Sequence, residues 1–79
     1  MTYKVFRLNK HGDVVGEILE YNTLAASIKS ASKLSQGDSD YVYTVDRGST
    51  NVVSYFKGIE GQGDYDEVTS TVTFNGEHI

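Results

Sequence analysis

Thr23-Leu24-Ala25-Ala26-Ser27-Ile28-Lys29-Ser30-Ala31-Ser32-Lys33-Leu34-Ser35 is the one run in this chain that repeats with a helical period. Leu24, Ile28, Ala31 and Leu34 follow one another at spacings of four, three and three, which puts them on one face. Ser27, Lys29, Ser30, Ser32 and Lys33 then lie mainly away from it. Asn22 or Thr23 is placed to cap the first amides, and Gly37 stands where a C-terminal cap belongs. Lys33 sits favourably near the negative end of the helix. Alanines and serines let such a helix lie close to a sheet. The remaining ordered stretches alternate, so this run decides for one helix on a sheet.

Working outward, Thr2–Leu8 reads as a strand rich in Tyr, Val and Phe. The turn Asn9-Lys10-His11-Gly12-Asp13 follows, with Gly12 free to take a positive φ. Val14–Glu20 returns as a second strand, where Gly16 marks a bulge. After the helix, Asp40–Arg47 alternates, with Tyr41, Tyr43 and Val45 on one face and Val42, Thr44 and Asp46 on the other. Gly48–Asn51 is a hairpin loop leading into a strand over Val52–Lys57. Gly58–Asp66 reads as the longest irregular stretch. Glu67–Phe74 is the last strand, with Val68, Ser70, Val72 and Phe74 on one face and Thr69, Thr71 and Thr73 opposite. Asn75-Gly76 is a further turn signal. The expectation is one α+β domain over residues 1–79: a single, mostly antiparallel sheet of about five strands, order ββαβββ, packed on one helix with its other face partly open.

The chain has 79 residues and no cysteine, proline or tryptophan. Disulfides, thiolate metal sites and cysteine nucleophiles are thereby excluded. A domain this small carries little core and gains from a partner. No signal peptide or run of transmembrane length is visible, so a soluble cytoplasmic protein, off the membrane, is expected. The net charge of −4 is unevenly distributed. Residues 1–36 carry about +2, whereas residues 37–79 carry about −6. An acidic half repels phosphates and attracts basic partners, so direct nucleic-acid binding is disfavoured.

Little in the chain points to catalysis. A hydrolase needs a histidine held between a nucleophile and a carboxylate. His11 lies in a turn and His78 beside the last residue, both read as surface histidines. Gly58-x-x-Gly61-x-Gly63 has phosphate-loop spacing, but acids and a strand follow it where a helix is required. Asp64, Asp66 and Glu67 match only the start of a calcium loop and read as a solvated acidic loop. The expectation is a non-enzyme with no cofactor and no metal.

The six tyrosines carry more information. Tyrosine offers rigid contact area with a polar tip and is enriched at interfaces, although strand tyrosines also pack in cores. Tyr41, Tyr43, Tyr55 and Tyr65 are the candidate anchors. Asp38, Asp40, Glu60, Asp64, Asp66 and Glu67 are the candidate charge partners for a basic protein surface.

Three stretches resemble a known kind of protein. They are Tyr3-Lys4-Val5-Phe6-Arg7-Leu8, Leu24-Ala25-Ala26-Ser27-Ile28-Lys29-Ser30-Ala31, and the Tyr41–Lys57 hairpin. With the acidic skew and absent cysteines, the pattern is similar to small phage-encoded anti-CRISPR proteins that block type I surveillance complexes. The resemblance implies stoichiometric inhibition of a host nucleic-acid-handling complex, with carboxylates standing where phosphates would sit. It transfers no individual residue role. The rival expectation is a self-associating structural or accessory phage protein, paired through Thr69, Thr71 and Thr73 as an edge strand. Inhibition of another host enzyme, such as RNA polymerase or a nuclease, is a further alternative, and both monomer and homodimer stay open.

Overall fold

A computed structural model describes residues 1–79. Thr23 caps the helix as its sequence requires: Oγ1 accepts the Ala26 amide at 3.2 Å. Helix α1 runs Leu24–Gly37 and ends on Asp38, so Gly37 is its last residue rather than its cap. The buried face also differs from the expected one. Ser27, Ala31 and Ser35 are fully buried at successive spacings of four, whereas Leu24 and Leu34 stay 36% and 38% exposed. Ile28 is partly buried against the core. Small side chains win this face because they bring the helix backbone close to the sheet, where a leucine would hold it off.

The two serines tolerate burial because their hydroxyls are satisfied locally. Ser27 Oγ donates to the Leu24 carbonyl at 2.7 Å and Ser35 Oγ to the Ser32 carbonyl at 2.9 Å. Ser35 Oγ also accepts the Gly58 amide at 2.8 Å, tying the helix to a turn of the sheet.

The main sheet contains β1 (Tyr3–Leu8), β2 (Val14–Tyr21), β3 (Val42–Arg47), β4 (Thr50–Phe56) and β5 (Ile59–Gly61). Its order is β2-β1-β3-β4-β5 and every neighbouring pair is antiparallel. The β1–β2 register slips between Val5 and Arg7, where Gly16 takes a φ of +74° beside the Arg7 guanidinium. Val5, Val45 and Val53 stand in register across β1, β3 and β4 and, with Tyr43 and Tyr55, form the core under Ala31.

The single-sheet expectation needs correction, because the C-terminal third leaves the main sheet. Strands β6 (Gly63–Asp66), β7 (Thr71–Phe74) and β8 (Glu77–His78) form a second, smaller sheet of order β6-β7-β8. Three local features produce it. Lys57 and Gly58, both at positive φ, turn β4 directly into β5, so the stretch expected to be irregular is mostly strand. Gln62, between two glycines, is the one residue separating β5 from β6. Asn75 and Gly76, also at positive φ, close the β7–β8 hairpin. The expected Glu67–Phe74 strand shortens to β7, and Val68 is left exposed in the preceding turn.

The small sheet covers part of the face opposite α1. Val42, Phe56, Val72 and Phe74 make a second core, with the Phe56 and Phe74 ring centroids 5.7 Å apart. The Val72 amide donates to the Lys10 carbonyl at 2.6 Å, which fastens β7 to the β1–β2 turn.

Substitution separates the two buried serines. Ser27→Ala removes a bond internal to the helix and is expected to be near neutral. Ser35→Ala leaves the Gly58 amide without its acceptor and is expected to cost about 1–3 kcal/mol. Ala31→Leu forces the helix from the sheet at a similar cost of about 1–3 kcal/mol. Urea denaturation of the three variants measures the order.

Candidate functional site

Strand alternation sorts the expected site residues onto different faces. On the helix side, Arg7, Tyr43, Tyr55 and Glu60 stand in register across β1, β3, β4 and β5. Tyr43 and Tyr55 are each only 5% exposed. Their hydroxyls donate to Asp38 at 3.3 Å and Glu60 at 3.4 Å. Arg7 lies 3.8 Å from the Asp38 carboxylate and 4.8 Å over the Tyr41 ring. The anchor role expected of Tyr43 and Tyr55 is therefore corrected: their rings belong to the core, and Asp38 and Glu60 satisfy their phenols. Tyr41 is half-buried beneath Arg7.

The other face of the main sheet is only partly covered and holds a groove of about 410 Å³. Phe6, Leu8, Val14 and Val42 supply apolar walls, and Tyr65 of β6 forms a rim. Thr44 and Ser54 line it while only 8% and 3% exposed, and neither hydroxyl has a hydrogen-bond partner in the protein. Asp46 supplies a carboxylate at one end, where Asn51 Nδ2 donates to it at 2.9 Å. Lys4 stands opposite Asp46 in register but forms no ion pair with it. Gly12 positions the rim. Its φ is +80°, and a Cβ there would come within 2.7 Å of the Tyr65 ring.

Tyr65 is 51% exposed, between the exposed Asp64 and Asp66 of β6 and ahead of the exposed Glu67. Asp66 Oδ1 accepts the Val68 and Thr69 amides at 2.9 and 3.4 Å, which shapes the turn into β7. No three His, Asp or Glu side chains converge as a metal ion requires. Because β7 is the central strand of the small sheet, the self-pairing edge expected at Thr69, Thr71 and Thr73 is also corrected. The outer strands are β6 and β8.

A second groove, about 600 Å³, brings His11 and His78 together with Lys10, Lys57 and Asp40. His11 Nδ1 meets the Ser70 carbonyl at 2.8 Å, and no serine hydroxyl or carboxylate bonds its ring, so no Ser–His–acid relay is assembled. The residues expected to form one acidic, tyrosine-rich surface thus occupy three places. Tyr41, Tyr43, Tyr55, Asp38 and Glu60 lie on the helix side, Asp64–Glu67 on the small sheet, and Asp40 in the second groove. Sequence reading missed Thr44, Ser54, Asp46 and Phe6. The signal for Thr44, Asp46 and Ser54 was the polar series alternating with Tyr43, Val45 and Tyr55.

Burial raises the Tyr43 phenol above its ordinary value near 10; Arg7 opposes this and the Asp38 carboxylate adds to it. Burial likewise raises Tyr55, reinforced by Glu60. The unfolded chain ionises these phenols first, so their stabilisation is full below about pH 10 and is lost as pH rises through the folded values. The urea midpoint is expected to fall as pH rises above about 10, and the Tyr43→Phe/Tyr55→Phe double variant to show a shallower fall. An equal slope in both proteins would contradict this.

No helix is long and apolar enough to cross a membrane. Comparison with family models, with curated proteins and with solved structures finds no match to this chain.

Proposed function

We propose that this chain is a non-catalytic binding protein that docks the Asp64–Glu67 end of its small sheet on a basic protein surface. The observation that carries the reading is Tyr65, half-exposed between carboxylates that no cation of the protein neutralises. The only ion pair in the molecule is Arg7–Asp38. A large amphipathic ring set among unpaired charges suits an interface in which the ring supplies area and the carboxylates supply steering and register.

In its most specific form, following the resemblance to anti-CRISPR proteins, the partner is a type I surveillance complex in the host cytoplasm. Inhibition then comes from occupying a Lys- and Arg-rich surface needed for nucleic acid. A net charge of −4 is small for imitation of a nucleic acid by charge alone, so the Tyr65 contact supplies the specificity. The expected activity is stoichiometric loss of target-DNA binding by the complex.

Gel-shift titration of a purified type I surveillance complex with its DNA target tests this. The unaltered protein is expected to abolish the shift near equimolar ratio. The Asp64→Lys/Asp66→Lys/Glu67→Lys variant is expected to require at least about a hundredfold more protein, because like charges then face the basic surface. Far-ultraviolet circular dichroism checks that the variant is folded. Equal potency of the two proteins removes the acidic strand from the mechanism, and no effect from either removes this partner.

A further inference from the structure

The small sheet ends in a free edge beside the open-face groove, and the hydrogen-bond register states what that edge offers. The Asn75 amide donates to the Gln62 carbonyl at 3.3 Å, so Gln62 and Asn75 are a hydrogen-bonded pair of the antiparallel ladder. Such pairs alternate. Asp64 opposite Thr73 and Asp66 opposite Thr71 are therefore the next ones, given the register of β6 on β7. The amides and carbonyls of Gly63 and Tyr65 consequently point away from β7. No strand pairs with that side of β6, and all four of its residues are exposed.

The same two residues line the groove, together with Thr44 and Ser54. Both residues are more than nine-tenths buried, yet their hydroxyl oxygens reach the groove and are free to bond what enters it. The groove walls are apolar, its floor offers hydroxyl oxygens, and its one charged lining group is Asp46. Arginine matches that sequence of surfaces: an apolar stem, then a planar fork of donors that bonds hydroxyls and a carboxylate together.

We infer that β6 is a strand-addition edge: an extended basic segment of the partner pairs with Gly63 and Tyr65 and lays an arginine across Thr44 and Ser54 to Asp46. This rests on the basic partner proposed above and adds the mode of engagement. Main-chain bonds to β6 provide affinity and the groove provides selection among side chains. Asp64 and Asp66 face the added strand with negative charge, which disfavours an acidic segment there.

The test uses a blocked peptide of alternating arginine and threonine, with a glutamate-for-arginine control, followed by amide NMR. The arginine peptide is expected to slow exchange of the Gly63 and Tyr65 amides by at least about tenfold and to shift the Thr44 and Ser54 signals. The control is expected to do neither. Gly63→Pro removes an outward amide without costing a β7 bond, and a Cβ there meets nothing nearer than 3.8 Å. It is expected to weaken peptide binding by about tenfold, and Asp46→Asn by a similar factor. Unprotected Gly63 and Tyr65 amides with bound peptide overturn strand addition, and that measurement on the unaltered protein stands even if Gly63→Pro fails to fold. Protection of the same amides without peptide, rising with protein concentration, identifies a second copy as the occupant and also overturns it. A folded Gly63→Pro variant that still inhibits the surveillance complex fully removes strand addition while leaving acidic docking intact. Failure of the unaltered protein in that assay removes the partner instead.

Discussion

Strand β3 is buried on both faces, and both layers of the molecule are fastened to it. Val42 is wholly buried beneath the small sheet, while Tyr43 and Val45 are buried beneath α1. A central strand loaded on two sides requires cover on two sides. The helix reaches only one, so the C-terminal third must leave the main sheet and fold over the other. The change of sheet at Gln62 meets that requirement. It also limits it, because the small sheet reaches Leu8, Val42 and Phe56 but leaves Phe6, Thr44 and Ser54 facing a groove.

Those parts of the fold that depend on neighbouring residues were legible in the sequence. Thr23 as a cap, Gly12 in its turn, Gly16 at a bulge and the antiparallel β1–β2 pair all follow from local chemistry. The face that α1 buries was not legible, because hydropathy favours Leu24 and Leu34, whereas the approach distance of helix to sheet favours Ser27, Ala31 and Ser35. That distance is a tertiary quantity. The second sheet was missed for a different reason. Lys57 is a poor indicator of a turn at positive φ, and without that turn Ile59–Gly61 has nothing to pair with.

The candidate site divides in the same way. Tyr65 among its carboxylates was recognisable because exposure and charge lie in one short stretch. Tyr43 and Tyr55 were not assignable, since alternation shows that two faces exist but not which of them the helix will cover. The acidity is likewise less concentrated than its position in the chain suggests. Asp38 and Glu60 are engaged by Arg7 and by phenols, and Asp40 sits among Lys10, Lys57 and two histidines. The carboxylates of β6 and the following turn, by contrast, are exposed and pair with no cation of the protein.

Successive side chains on β3 and β4 serve separate purposes, and this bears on how the protein can change under selection. Tyr43, Val45, Val53 and Tyr55 hold the helix, while Thr44, Asp46 and Ser54 look the other way. A lineage can therefore exchange groove residues one at a time without disturbing the packing that keeps the domain folded. In a chain with so little interior, such separation gives the groove a freedom to diverge that the scaffold lacks.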